Sequence, residues 1–256
     1  NNKLEDKFLV EGKVGKALKL EKSIYVKLAD KKLNVIAKDD FTIQAWFKPG
    51  VDIFQEDSKT YERDYGVDDI MYKGNPYGKW FSFTPRGARD DGGVLWFQFD
   101  DNQSITSTMI KSKANIKDNR WHHGSVVFER KGKSWLVKVY IDGVLENEET
   151  FENYGLLNNS EPMVLGRPFF DGDPNKPAPE DNIFGYTGLV DEFYVFNRKL
   201  SEQEIKESYN SGMLGRKSSI SNDELLIYLP FDEYEKNMIF IDDGNYNDDF
   251  NIALVI

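Results

Sequence analysis

The chain has 256 residues and a net charge of −11, from 44 acidic and 33 basic side chains. That sign opposes binding to nucleic acids or anionic membranes, since both are polyanions. With 39% hydrophobic and 14% aromatic residues and no cysteine, the composition suits one large all-β domain or two small ones, and it excludes disulfides, thiolate zinc sites and cysteine nucleophiles.

Gly12 and Gly15 lead into an early strand ending at Leu20, where glycine permits a close approach of backbone. Ile24, Val26 and Leu28 alternate with polar residues, as in a half-buried strand. In the run 41–49, Phe41, Ile43, Ala45 and Phe47 share one face while Thr42, Gln44 and Trp46 share the other. Pro49 ends it, having no N–H to donate. Residues 50–69 are charged and aperiodic, and read as a long insertion loop that holds Tyr61 and Tyr65. Strands follow at 70–72 and 79–83, separated by a Gly74–Gly78 turn cluster that contains Tyr77. A polar, glycine-rich turn at 86–93 carries Arg86 and Arg89. The strand at 94–99 places Trp96 opposite Phe97 and Phe99. Further strands fall at 118–128 and 135–143, with Asp142-Gly143 as a hairpin signal, and at 163–167. The loop 169–182 holds Asp171, Asp173 and Asp181.

The run 185–209 reads as strand, turn and helix. Leu189, Val190, Phe193, Val195 and Phe196 suit a strand buried in a sandwich core. Asn197 and Arg198 interrupt it. Ser201 then supplies an N-cap, and Glu204 completes a capping box for a short helix near 201–210 that Gly212 stops. The many short strands, frequent turn signals and scarce helical periodicity predict a two-sheet antiparallel sandwich, all-β in class.

Six or more of these segments, in the same order, resemble motifs of the LamG-like (laminin G/pentraxin-type) concanavalin A-like lectin/glucanase family. They include Gly12-Lys13-Val14-Gly15-Lys16-Ala17-Leu18, Phe41-Thr42-Ile43-Gln44-Ala45-Trp46-Phe47-Lys48-Pro49, Trp121-His122-His123, Tyr140-Ile141-Asp142-Gly143, Leu165-Gly166, and Gly188-Leu189-Val190-Asp191-Glu192-Phe193 through Asn197-Arg198-Lys199-Leu200-Ser201 to Glu204-Ile205. The resemblance covers about residues 10–212 and implies a jelly roll. Without cysteine, it points to the bacterial branch. The tail has its own likeness. Residues 224–233 resemble the family's first strand, and Asp242–Asp248 the turn that follows it. The expected division is a jelly-roll domain over 1–220 and a segment 221–256 that supplies a sandwich strand, the alternative being the start of a second repeat. The first residue is Asn1 rather than Met, so the chain reads as a mature or excised part of a larger multidomain protein.

Three chemistries are open to such a chain. Sugar hydrolysis needs two carboxyl groups a few Å apart. The Glu-x-Asp-x-x-Glu run of related glucanases is absent, and Asp191 and Glu192, adjacent on a strand, are expected to face opposite ways. His122 and His123 likewise face apart, and the expectation is a strand histidine bonded to a nearby loop. Calcium needs six to eight oxygens. The resemblance implies a tentative site near the sandwich rim with Asp191 and Asp232 as ligands, whereas Asp171-Gly172-Asp173 lacks EF-hand spacing and reads as a solvated loop. Glycan binding needs exposed rings with polar groups around them. The strand tryptophans Trp46, Trp80, Trp96 and Trp135 are expected in the core, leaving Tyr61, Tyr65, Tyr77, Arg86 and Arg89 as ligand candidates. The functional expectation is a noncatalytic carbohydrate-binding or adhesion module of a secreted or cell-surface bacterial protein. Its partner would be a glycan or a surface protein, neither nucleic acid nor an inserted membrane, and it would steer an attached enzyme. The alternatives are a structural or protein-interaction module and, last, a glycoside hydrolase.

Overall fold

The structure is a computed structural model that describes residues 8–21, 24–28, 30–50, 69–75, 78–86, 93–103, 108–116, 118–166, 186–232 and 239–242. These residues form two antiparallel sheets and one α-helix. The strands are β1 (Leu9–Glu11), β2 (Lys16–Leu20), β3 (Ile24–Leu28), β4 (Phe41–Pro49), β5 (Met71–Gly74), β6 (Trp80–Arg86), β7 (Val94–Asp100), β8 (Thr108–Lys111), β9 (His122–Lys131), β10 (Ser134–Ile141), β11 (Val144–Phe151), β12 (Met163–Leu165), β13 (Gly188–Phe196), β14 (Leu225–Leu229) and β15 (Ile239–Asp242). The helix, α1, spans Glu202–Met213. One sheet has eight strands in the order β1-β2-β13-β4-β9-β10-β11, with β14 also on β13. The other has seven, ordered β15-β3-β12-β5-β6-β7-β8.

The two-residue period read along β4 is the period that builds the core. Phe41, Ile43, Ala45 and Phe47 lie on its inner face, level with Phe128, Val126, Gly124 and His122 of β9. Phe81, Phe83, Leu95, Phe97 and Phe99 approach from the seven-stranded sheet. Phe41 stacks on Phe128 with ring centres 4.4 Å apart, and Phe97 lies 5.0 Å from Phe128. Rings from both sheets thus meet in the middle of the sandwich, which accounts for the high aromatic fraction. The β10–β11 hairpin turns on Asp142 (φ 52°) and Gly143 (φ 75°), the two positive φ angles that a tight primed turn requires.

The outward face of the eight-stranded sheet is covered around β13, β4 and β9. Ser201 caps α1 by accepting from the Glu204 N–H, and Glu204 Oε2 accepts from the Ser201 N–H at 2.8 Å. The helix then buries Ile205, Ser208 and Gly212. Gln44 donates to Ser208 Oγ at 2.9 Å, and Trp46 stacks on Tyr209 at 5.6 Å. Gly212 lies inside the helix rather than stopping it, and that fit requires it, because a Cβ there would stand 2.2 Å from Trp46 Nε1. Beyond the helix, Ile220, Leu225 and Tyr228 join Tyr194 and Phe196 on the same face. β14 pairs with β13 from Phe193↔Leu229 to Phe196↔Leu225. One flank of the sandwich is sealed by side chains. Glu146 accepts from the Lys113 and Ala114 amides, and Asn147 donates to Lys111 O, so β11 is tied to the end of β8.

Candidate functional site

Strand β13 gathers the residues expected to matter most. β4 runs along one side of it. On the other side two short strands follow one another, β2 along Gly188–Val190 and β14 along Phe193–Phe196. Where they meet, the pairing with β4 slips between Asp191 and Tyr194, and Glu192 takes φ 48°. This is a β-bulge, and it overturns the expectation that adjacent Asp191 and Glu192 face opposite ways. An extra residue breaks the two-residue period, and both carboxyl groups end up buried. They nevertheless serve separate partners. Glu192 accepts from the Tyr194 and Tyr228 hydroxyls, each at 2.7 Å, and those two rings stack at 4.4 Å. With each carboxyl committed to its own donors, the pair is not arranged as an acid and base.

Asp191 Oδ2 accepts from the Lys13 and Val14 amides at 2.8 Å, and Oδ1 accepts from the Glu192 amide at 2.7 Å. Burial pushes its carboxyl up to about 7, with the Glu192 charge acting the same way, against the three amides that pull it down. Asp232 Oδ1 accepts from the Lys16 amide at 3.0 Å. Gly15, at φ +60°, brings the chain so close that a Cβ would lie 1.9 Å from that oxygen. Asp191 and Asp232 thus converge on one turn, Gly12–Lys16. Two N–H groups already point at Asp191 Oδ2, and their positive ends would face a bound cation. Among the described residues, no group of three or more acidic, histidine or cysteine side chains is placed to hold a metal.

The histidines divide as the strand period requires. His122 lies between two carboxylates, with Nδ1 2.9 Å from Asp142 Oδ2 and Nε2 2.9 Å from Asp118 Oδ1. Burial pulls its pKa down, but the two carboxylates outweigh it and hold the ring above its usual value. His123 faces the helix, 5.3 Å from the Trp46 ring and 6.4 Å from the Tyr209 ring. Burial pulls it down to about 4.

The outward face of the seven-stranded sheet is built differently. Tyr72 of β5 and Trp80 of β6 stack at 5.7 Å. Ser82 and Thr84 follow Trp80 on that face, with their hydroxyls 3.1 Å apart, and Thr84 donates to Asp69. All of Tyr72, Ser82, Thr84 and Asp69 are buried. The accessible strip runs along β7. Trp96, Gln98 and Asp100 are half-buried there, Trp80 stands opposite Asp100, and Met109 and Lys111 flank the strip from β8. Lys111 Nζ lies over the Trp96 ring at 5.5 Å. The rim is held by buried Lys73, which donates to Asn159 O, Asn159 Oδ1 and Glu161 O at 3.2, 3.2 and 2.6 Å. Burial draws that ammonium down to about 8. Asn159 in turn donates to Lys79 O, beside Trp80.

Of the ligand candidates expected from sequence, Tyr61, Tyr65, Tyr77 and Arg89 lie outside the described residues, as does Asp171-Gly172-Asp173. Arg86 closes β6 opposite Val94. Trp46 and Trp135 are buried, as expected. Trp80 and Trp96 are half-buried rather than fully buried, with Trp80 packed against Tyr72 and Trp96 Nε1 enclosed, and this corrects the sequence reading. Their polar same-face neighbours, Ser82 and Thr84 or Gln98 and Asp100, were the available signal. That signal was ambiguous, because Trp46 also has polar same-face neighbours and is buried only because α1 lies on it.

The paired sheets with their covering helix define a lectin-type jelly-roll sandwich. Residues 20–206 match the Laminin G 3 model of the concanavalin A-like lectin/glucanases superfamily, and the chain belongs to that family. Among solved structures it is similar to domain 4 of AbnA, an extracellular arabinanase of Geobacillus stearothermophilus, at 20% identity and TM-score 0.53, over 77% of this chain and 78% of that one. It is similar to the binding domain of Paraclostridial Mosquitocidal Protein 1 at 18% identity and TM-score 0.54, over 79% of this chain and 45% of that one. A provisionally named carbohydrate-binding protein of Bacteroides ovatus matches at 14% identity and TM-score 0.57, over 90% of this chain and 56% of that one. The chain thus spans about half the length of the latter two. No helix among the described residues is long and apolar enough to cross a membrane.

Proposed function

We propose that this chain is a noncatalytic glycan-binding module and that the glycan rests on the outward face of the seven-stranded sheet, along β7. The observation that carries this reading is the pair of half-buried indoles beside polar side chains. On the eight-stranded sheet the outward indole, Trp46, is instead covered by α1. The seven-stranded sheet leaves half-buried Trp80 and Trp96 beside Gln98 and Asp100. Indole faces stack on the C–H surface of a sugar ring, and the neighbouring amide and carboxylate take its hydroxyls. Likeness to an arabinanase domain crystallised with arabinotriose supports the same reading, as does the acidic surface, which suits a neutral ligand better than a polyanion. The module would serve a secreted or cell-surface protein as one part of a larger chain.

The test is a glycan array probed with the purified chain, in calcium and again in EDTA, with Trp80→Ala and Trp96→Ala alongside. Saturable binding that either substitution weakens about tenfold is the expected result. Binding that EDTA abolishes would restore calcium to the account despite the donor set at Asp191. Absence of binding in both buffers would favour a structural or protein-interaction module.

A further inference from the structure

Resting on that reading, we infer that the site takes an extended, uncharged oligosaccharide laid along β7 between two separate ring platforms, rather than a single terminal sugar. Trp80 is level with Asp100 and Trp96 is level with Thr84 on the paired strands. Four residues at ~3.3 Å each and one strand spacing of ~4.8 Å put the two indoles about 14 Å apart. One sugar ring cannot cover both, whereas a chain of several can. Gln98 lies midway on the same face and is half-buried, so it can meet a middle sugar with an uncharged donor and acceptor. The platforms differ. Trp80 is backed by the buried Tyr72 ring, and Lys73 and Asn159 tie down the turn before it. Trp96 instead has Lys111 over it, with Nζ 5.5 Å from the ring centre. The first platform is therefore preformed. Charge along the strip cancels, with Asp100 near one ring and Lys111 near the other. The whole chain at −11 then selects against polyanionic sugars.

The experiment is calorimetric titration with linear arabino-oligosaccharides and cello-oligosaccharides, each from monosaccharide to hexasaccharide, and with oligogalacturonates of the same lengths. Affinity for at least one neutral series should climb by tenfold or more with length and then level off. Trp96→Ala should erase the climb while keeping the weak binding of the shortest ligands. Gln98→Glu, which disturbs no core contact, should also flatten it, so the result does not depend on one variant folding. Binding of a monosaccharide as tightly as the hexasaccharide would overturn the inference and leave the glycan-binding reading intact, as would tighter binding of the galacturonates. No binding by any series, with the protein folded by circular dichroism, would overturn both.

Discussion

His122 and His123 are neighbours in sequence and opposites in environment. His122 is bracketed by Asp118 and Asp142, and His123 is packed between rings. A folded pKa raised above the unfolded value adds stability that is complete below about 6.5 and is lost as pH rises through the folded pKa. His122 is of that kind. His123, lowered to about 4, does the reverse, and its contribution is lost as pH falls from about 6.5 towards 4. Two-dimensional NMR of the two imidazoles should show one titrating above 6.5 and the other near 4; a shared midpoint near 6.5 would contradict both environments. Asp191 was legible in the sequence as a residue that matters, but its role was not. Its oxygens satisfy three amides, and that count depends on a turn nearly 180 residues away. Asp191→Ala should cost about 1–3 kcal/mol in urea unfolding, because buried N–H groups would be left without acceptors.

Among the elements, α1 was the most readable and the most consequential. Its capping box needs only Ser201 and Glu204 at the right spacing, and the structure forms both bonds. Ser201→Ala should lower stability by about 1 kcal/mol. Gly212→Val should do more, since the side chain would enter the space of Trp46; loss of the tryptophan's buried fluorescence environment would report the helix lifting. The same helix explains what the sequence could not show. Trp46 and Trp80 both sit on strands beside polar same-face residues. α1 packs on one sheet and not on the other, so Trp46 is buried while Trp80 stays half-buried, and no local pattern records that choice. The bulge at Glu192 was hidden for a related reason. A strand's period can be read from its residues, but a single inserted residue is visible only against the strand beside it.

Across the molecule, the alternation of apolar and polar residues was enough to predict two antiparallel sheets with a ring-filled interior. The edges depend on distant segments. β14 adds Ile227 and Leu229 to the buried core, and Phe231 follows it. Removing residues 224–256 should cost on the order of 5 kcal/mol from these three side chains alone, a large share of the ~5–15 kcal/mol that holds typical domains together. The expected outcome is a truncated chain that loses its cooperative urea transition or precipitates; an unchanged midpoint would show the segment to be dispensable.

The seam on β13 also sets a clock. Apart from the neighbouring β1, β2 finds its partner only at Gly188–Val190, and the turn before it is fastened by Asp191 and Asp232. A chain emerging from a ribosome therefore carries its first hairpin apart from the rest of the sheet until most of its length has been made. Closing loops this long before they yield contacts slows the search. Refolding by stopped-flow mixing should run in milliseconds to seconds rather than microseconds. Until residue 232 is available, the Gly12–Lys16 turn lacks the Asp232 carboxylate, and the order of synthesis leaves the last strands to complete the first.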